Sequence, residues 1–461
     1  MKWPLMILWL TICLQITAVT AQKSYSLDEA IAYALKHHTA MELAQLDIKA
    51  AESRIQETKS IGMPQINAGV DYNYYFQAPI NPVEDFITPS VYSILVEEFP
   101  NEVTFPTSEF ETFEFSIFTK HNLSARIDGS MLLFDGSYLT GVKAAKVFKD
   151  LTAQDLAVQE EEIKAAVTKA YMNILIYEEN LKTLANNTQN VNAALKEAQA
   201  YYKNGFMEQL DIDRISLSLE NINIQTQKLE QVKEISYNML KYQMHYPAND
   251  ELTLSEDIDA LILKLSAQEV ETLENIDYAN KAEYGKILMG QELNKLNLER
   301  YKKGFLPSLR ARAGVSEAIQ RNNLFDKNEA GWLPTVYAGL ALNIPITDGK
   351  QKKSKIQQTK LEIEKTNILQ EEYKRGLELQ IQNHFRSYQN AQATLANTKK
   401  SLDLVQSIYD KTLIKFKEGV GSSIEVTQAE SQLFDAQANY IDALYDLLIT
   451  KTDLDIALGN I

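Results

Sequence analysis

The feature that most constrains the fold of this chain is an internal repeat. Short motifs occur twice in the same order and at a nearly constant spacing along the chain. Phe134-Asp135-Gly136 recurs as Thr347-Asp348-Gly349, and Lys203-Asn204-Gly205 recurs, at an offset that differs by a single position, as Lys417-Glu418-Gly419. A junction with glycine and proline, at 62–64 and again at 304–307, precedes both. The length of 461 residues would allow about three ordinary domains, but the repeat predicts one duplicated architecture instead.

Long helices dominate each copy. The stretches 137–204 and 350–418 contain no proline and are nearly equal in length. In the second copy, apolar residues recur every seven positions: Ile381, Tyr388, Leu395, Leu402, Tyr409 and Phe416. This period predicts helices in left-handed coiled-coil packing, although a plain soluble coiled coil would show it too. The remaining helices are predicted over 27–60, 211–246, 276–303 and 424–458.

Four segments change to a period of two and are predicted to be strands. They cover about 65–76, 122–133, 308–316 and 335–346, with apolar residues on one face and polar or charged residues on the other. This pattern fits a transmembrane β-barrel, but a half-buried sheet in a soluble α+β protein fits it equally well. Four strands are too few to close a barrel, since single-chain barrels have at least about eight. Membrane-spanning strands would therefore require several chains, and three chains would supply about twelve strands.

The N-terminus and the composition restrict the function. Lys2, the apolar run 5–16 and the small residues before Gln22 predict a secretory signal peptide over 1–21, with an uncleaved anchor as the alternative. The single cysteine, Cys13, lies within it, so we expect no disulfide in the remaining chain. The net charge of −16 argues against nucleic-acid binding. Because the histidines lack ligand spacing and no nucleophile or phosphate motif occurs, we expect no enzyme activity, no metal and no cofactor.

The order of these features resembles the TolC family of outer membrane efflux proteins. The resemblance rests on the duplicated helix–strand–loop–strand–long helix–glycine turn–helix unit, the opening Ser26-Leu27-Asp28-Glu29-Ala30-Ile31 and the closing Leu454-x-x-Ala457-Leu458-Gly459. It implies a mainly α fold with a small β part: a homotrimer with a shared twelve-stranded barrel in the outer membrane and a coiled-coil tunnel in the periplasm. It also implies passive conduction of substrates in an efflux or type I secretion system. The implied partners are a periplasmic adaptor and, through it, an inner-membrane pump.

The resemblance also assigns regions and site residues. Residues 22–246 form the first repeat, 247–275 an equatorial segment and 276–461 the second repeat. The periplasmic tips that contact the adaptor are assigned to Gly205, Phe206, Gly419, Val420 and Gly421, and we expect the three glycines to supply a positive φ. The barrel lumen is assigned to Arg126, Asp128, Arg310 and Arg312.

Acidic residues just past the tips are candidates for a cation-binding ring at the periplasmic aperture. By resemblance, Glu425 occupies the first ring position, while Gln428 replaces the acid expected at the second. Asp211 is the counterpart of Glu425 in the first copy. Acids are also favoured in the first turn of any helix by the helix dipole, which is the alternative explanation for both.

An insertion within 77–118 distinguishes the first copy from the second. It is acidic and aromatic and contains no lysine or arginine. Its aromatic residues are compatible with a small ordered cap. We expect a solvated surface loop, with a cation or ligand site as the alternative. For the whole chain, the competing functions are a periplasmic adaptor and a soluble coiled-coil scaffold. Drugs, metals and proteins are all compatible substrates.

Overall fold

The computed structural model describes residues 23–77, 81–106, 112–115, 119–266, 276–326 and 331–460. The helices are α1 (Leu27–His37), α2 (Thr39–Ser60), α3 (Ile87–Glu98), α4 (Gly136–Lys203), α5 (Gln209–Met244), α6 (Ile258–Ser266), α7 (Ala282–Lys303), α8 (Gln351–Lys417) and α9 (Ser423–Leu458). The strands are β1 (Lys23–Tyr25), β2 (Gln65–Tyr74), β3 (Asn81–Glu84), β4 (Thr112–Phe115), β5 (His121–Phe134), β6 (Leu252–Leu254), β7 (Ser308–Arg321) and β8 (Leu333–Asn343). The expected signal peptide and residues 267–275 of the expected equatorial segment lie outside the described residues.

The two long helices are confirmed, and each end lies one position from its prediction. α4 has 68 residues and α8 has 67. The repeated Asp-Gly motif explains where they begin. The Asp135 carboxylate accepts hydrogen bonds from the backbone N–H groups of Ser137 (2.8 Å) and Tyr138 (3.0 Å). Asp348 accepts one from Lys352 (3.0 Å) in the second copy. Each aspartate therefore satisfies donors that the first turn of a helix leaves unpaired.

The chain divides into two compact units. One consists of residues 53–145 and 295–360, and the other contains the remaining described residues. In the first unit, four described strands form an antiparallel sheet in the order β2-β5-β7-β8. All four predicted strands are present, but β7 extends to Arg321, beyond the predicted end at 316. Among the described residues, no helix is long and apolar enough to cross a membrane.

The core of the second unit is a cluster of apolar side chains from several helices. Its fully buried members include Val167, Tyr171, Ile174, Leu240, Met244 and Leu448. A two-stranded parallel sheet, β1 with β6, lies beside this core. The Tyr171 hydroxyl donates to the carbonyl oxygen of Tyr25 (3.0 Å), and the Leu27 N–H donates to Glu256 (3.0 Å). The Tyr171 bond holds β1 against α4, and the Glu256 bond holds the start of α1 against part of the segment expected to be equatorial.

The prediction of one helix over 27–60 is wrong, because the helix is interrupted at His38. This residue has an extended backbone (φ −69°, ψ 130°) between α1 and α2. The sequence has neither glycine nor proline at this point, so the break carries no ordinary sequence signal. Instead, the His38 side chain caps the start of α2, because its Nδ1 accepts the N–H of Ala40 at 3.1 Å.

The insertion in the first copy contains regular structure. α3 begins at Ile87, and β3 pairs with β4 in antiparallel fashion. The Asp85 carboxylate accepts the N–H groups of Ile87 (3.1 Å) and Thr88 (2.9 Å), which stabilises the start of α3. The described part of 77–118 therefore contains the small ordered structure for which the aromatic residues argued. The remainder of this insertion, including Phe110 and Phe118, is outside the described residues.

Candidate functional sites

The two helix–helix turns have the same hydrogen-bond pattern. In the first turn, Gly205 N–H donates to Tyr202 O (2.9 Å) and Phe206 N–H donates to Tyr201 O (3.0 Å). In the second turn, the equivalent pairs are Gly419 to Phe416 (3.1 Å) and Val420 to Lys415 (3.0 Å). Each residue of the second turn lies the same number of positions after its counterpart in the first turn. This offset equals that between the two occurrences of the Lys-x-Gly motif. The turns are therefore duplicated Schellman-type ends of α4 and α8.

The conformations of the turn glycines differ in one respect from the prediction. Gly205 (φ 78°) and Gly419 (φ 73°) have a positive φ, as expected. Gly421 is not among the positive-φ residues, so the prediction is wrong there. Its requirement is steric, because a Cβ at 421 would lie 3.0 Å from the backbone nitrogen of Phe416. Glycine therefore allows the chain to approach the end of α8 closely.

Both turns expose apolar side chains at equivalent positions. Phe206 is 81% exposed and Val420 is 78% exposed. Leu210 and Ile424, which are also equivalent in the two copies, are about half exposed. Because single exposed apolar residues are common, the relevant observation is that the same pair recurs in both copies. Each turn thus displays an apolar tip.

The two candidate aperture acids have different surroundings. Asp211 accepts a hydrogen bond from the Ser423 hydroxyl, and the same hydroxyl accepts one from Arg214 at 2.9 Å. Arg214 also lies 3.9 Å from the Asp211 carboxylate. Glu425, by contrast, is exposed in the first turn of α9, where its N–H donates to Ser422. Asp211 therefore links the starts of α5 and α9, while the Glu425 side chain faces solvent.

Glu430 is a polar site residue that the sequence analysis missed. It is 7% exposed, and its carboxylate accepts a 2.6 Å hydrogen bond from Ser218 of α5. Burial raises the pKa of Glu430 and raises the pKa of the nearby Tyr409 to about 12. Its burial could have been predicted from its position, because Glu430 lies four residues after Val426 and three before Leu433, within the apolar face of α9.

An open groove separates α5 from α9 beyond these contacts. Its first part has a volume of about 480 Å³ and is lined by residues including Leu217, Ile224 and Phe434. A second part of about 360 Å³ shares Phe434 with it and extends to Asn187 and Gln437. There the Asn187 side-chain amide donates to Gln437 at 2.6 Å. The groove is mixed in character, with apolar side chains between polar contacts.

The four-stranded sheet has one polar face. The register aligns Asp128 with Gly314, Ser130 with Arg312 and Leu132 with Arg310, so the four candidate lumen residues share this face. Arg126 lies 2.5 Å from the Asp71 carboxylate and 3.5 Å from that of Asp128. The Tyr337 hydroxyl donates to Asp128 at 2.9 Å. Charged side chains of both signs are thus held together on this face.

The opposite face of the sheet is mostly apolar and exposed. Its apolar residues include Ile66, Ala68, Val70, Tyr72 and Tyr74 of β2, Leu123, Ala125, Ile127 and Met131 of β5, Ala311, Ala313 and Val315 of β7, and Val336, Ala338, Leu340 and Leu342 of β8. Glu317 of β7, which pairs with Ala125, is a charged residue on the same face. Ile66 and Val336 are each 74% exposed and Leu340 is 71% exposed. Aromatic side chains flank this face, with Phe76 and Trp332 exposed at one end of the sheet and Phe134 and Phe305 at the other.

Within the described part of the chain, no three histidine, cysteine or acidic side chains are grouped so that they could hold a metal ion.

Comparison with known proteins relates the C-terminal part of the chain to a family. The sequence model for outer membrane efflux proteins matches residues 297–460, which include β7, β8, α8 and α9. This stretch is therefore similar to the outer membrane efflux proteins. The first half of the chain has the same order of long elements: two sheet strands, a long helix, a glycine turn and a return helix.

Solved structures match the fold over nearly the whole chain. The structure of CusC has a TM-score of 0.72 at 14% identity and covers 95% of this chain and 92% of its own. The Vibrio cholerae outer membrane protein VceC has a TM-score of 0.66 at 13% identity, covering 94% and 96%. The open-state Neisseria gonorrhoeae outer membrane channel MtrE has a TM-score of 0.68 at 15% identity, covering 94% and 88%. No curated protein gives a significant match.

Proposed function

We propose that this protein is the outer membrane exit duct of a tripartite efflux or type I secretion system. Three copies form one barrel of twelve strands, and the helices line a periplasmic tunnel through which substrates pass without energy input from the duct. The observation that carries this proposal is the four-stranded sheet with a polar face and an exposed apolar face. In a transmembrane barrel these faces meet water and lipid, respectively.

The edges of the sheet support sharing of the barrel between copies. β2 and β8 are the edge strands, so each leaves a row of backbone donors and acceptors without a partner in the sheet. Within hydrocarbon such groups must be paired, because water is not there to bond them. Pairing β8 of one copy with β2 of the next satisfies both edges, and a closed ring of copies removes them.

Exposed apolar residues on the long helices support the same assembly. Leu361 and Ile368 of α8 lie seven residues apart and are about half and two-thirds exposed. Leu404, further along the same helix, is also mostly exposed. A seven-residue spacing places side chains on one face for coiled-coil contact. We assign these side chains to contacts with a neighbouring copy.

The tips and the groove between α5 and α9 are the proposed adaptor-binding surface. Phe206 and Val420 offer apolar anchors at the two turns. Leu217 and Ile224 lie seven residues apart along the groove and are also exposed. An amphipathic helix binds such a surface by inserting apolar side chains at helical spacing. A periplasmic adaptor with a helical hairpin fits it, and the adaptor connects the duct to an inner-membrane pump.

Glu425 is the proposed aperture acid, because its side chain is exposed beside the second tip. Three copies would bring together three such carboxylates, which would attract cations. Asp211, which is already engaged by Ser423 and Arg214, is assigned instead to holding the two return helices together. In the proposed duct, residues 22–246 form the first repeat, residues 247–275 form the equatorial segment and residues 276–461 form the second repeat.

Membrane fractionation followed by planar-bilayer recording tests this function. We expect the protein in the outer membrane fraction, released only by detergent, and we expect the purified protein to conduct ions across a bilayer. Recovery in the soluble periplasm without detergent would favour the scaffold or adaptor functions and would contradict the duct. If the detergent-extracted parent protein shows no conductance, and the variant E425Q, which lacks the tip acid, shows none either, the channel role is contradicted.

A further inference from the structure

The break between α1 and α2 depends on one imidazole nitrogen. His38 ends α1, where its N–H donates to Ala34 O at 2.8 Å, and begins α2, where its carbonyl accepts from Met41 at 3.0 Å. Its Nδ1 accepts the N–H of Ala40 at 3.1 Å. This is the position at which an N-cap side chain normally supplies an oxygen. Here an imidazole nitrogen takes the place of that oxygen.

This cap requires a neutral imidazole. The nitrogen that accepts the Ala40 N–H must have its lone pair free, whereas both nitrogens of a protonated histidine are donors. Protonation of His38 therefore removes the cap and turns it into a contact between two donors. A serine, threonine or asparagine cap would be insensitive to pH between 5 and 8.

A second histidine, His245, lies close to His38 and disfavours a positive charge on the His38 ring. The His245 ring, at the end of α5, lies 5.2 Å from the His38 ring, measured between centroids. His245 has a left-handed backbone (φ 57°), and its Nε2 lies 2.7 Å from the Thr39 hydroxyl. If both rings carry a proton, they repel each other across the contact between α1, α2 and α5.

We infer that the junction of α1 and α2 is an acid-sensitive joint, ordered while His38 is neutral and loosened when His38 takes up a proton. The His38 cap and the His245 contact carry this inference. It does not depend on the proposed function, because both contacts lie within one chain.

The surroundings define the direction of the pH effect. Along the sequence, the nearest ionisable residues are Lys36, His37 and Glu42 beside His38, and Lys241, Tyr242 and Tyr246 beside His245. Burial and, secondly, the neighbouring His245 lower the pKa of His38 below its ordinary value of 6.5. A lowered pKa in a basic group means that folding favours its neutral form. The stabilisation is therefore present above about pH 6.5 and is lost as the pH falls towards the lowered value.

Distances between two spin labels across the joint test this inference. In the full chain with C13S, labels at K36C and D47C lie on exposed positions of α1 and α2. We expect a narrow distance distribution at pH 7.5 that broadens at pH 5.0, with a midpoint below 6.5. Labels at K182C and K196C, both within the uninterrupted α4, are the matched control and keep their distance.

Two variants separate the cap from general acid effects. H38N provides an amide oxygen that accepts the Ala40 N–H at either pH, so its distance stays narrow at pH 5.0. H245N keeps a residue that tolerates the left-handed conformation but removes the second cation, so the midpoint rises in pH. A distance that is unchanged in the parent at pH 5.0, or an equal broadening in H38N or in the α4 control, would overturn the inference.

Discussion

The hydroxyl of Ser218 donates a 2.6 Å hydrogen bond to the buried carboxylate of Glu430. Ser218 belongs to α5 and Glu430 to α9, so the bond joins the return helices of the two repeats within one chain. Together with Asp211, Arg214 and Ser423, it forms a line of polar contacts beginning at the helix tips. Buried polar pairs of this kind fix one helix register, since a slipped register would leave the polar groups unpaired.

The Glu430 carboxyl should make stability depend on pH. Burial raises its pKa above the ordinary 4.5, so folding favours the protonated form. This contribution is present below pH 4.5 and is lost as the pH rises through the raised value. We therefore expect the parent protein to gain stability relative to E430Q when the pH is lowered from 7.5 towards 4.5. Denaturant unfolding of both proteins across this range measures the difference, and a gain in the opposite direction would contradict it.

Replacement of a turn glycine by alanine should destabilise the protein, because Gly205 and Gly419 have a positive φ. In G205A and G419A the left-handed conformation costs about 1–2 kcal/mol, although nothing stands within 4 Å of the added atom. G290A is the control, because Gly290 lies inside α7 with equally open space, and alanine there should stabilise the helix by up to about 1 kcal/mol. Thermal unfolding measures all three. Equal stability of G205A and G290A would argue against the turn geometry.

The two faces of β8 should respond differently to the same charge. Leu340 lies on the apolar face, where lysine should cost about 2–4 kcal/mol if that face meets lipid. Thr335 lies on the polar face of the same strand, where lysine should be tolerated. The amount of L340K and T335K recovered in the outer membrane fraction compares them. Normal recovery of L340K would be inconsistent with a lipid-facing surface.

Reversal of charge at Glu425 should weaken cation block of the channel. The exposed carboxylate is the proposed ligand, so E425K should require a higher concentration of divalent cation for half-block of single-channel current. E364K changes an exposed acid on α8 by the same charge and is the matched control. An identical block in E425K and the parent would remove Glu425 from the aperture.

Local patterns predicted much of the fold, and contacts between distant residues account for the errors. The strand periods, the long helices and the glycine turns depend on neighbouring residues, and they are confirmed. The break at His38 depends on a side-chain cap of an unusual type. The pairing of β1 with β6 joins segments that are far apart in the sequence, and each strand contributes only Lys23–Tyr25 or Leu252–Leu254.

The candidate site shows the same division. The glycine turns followed from the repeat and the shared polar face followed from the alternation, whereas the tip residues were assigned through the family resemblance. Asp211 and Glu425 occupy equivalent positions in the two repeats, but their surroundings differ, because Ser423 and Arg214 engage Asp211 and leave Glu425 exposed. The contact partner of Glu430 is 212 positions away, which no local spacing reveals.

The mass of the detergent-solubilised particle tests the central claim most directly. Native mass spectrometry of protein extracted from the outer membrane should give three copies of the chain, because four strands per copy and two unpaired edges require a closed ring of copies. A particle that contains one or two copies under conditions that preserve membrane-protein assemblies would contradict the barrel of twelve strands.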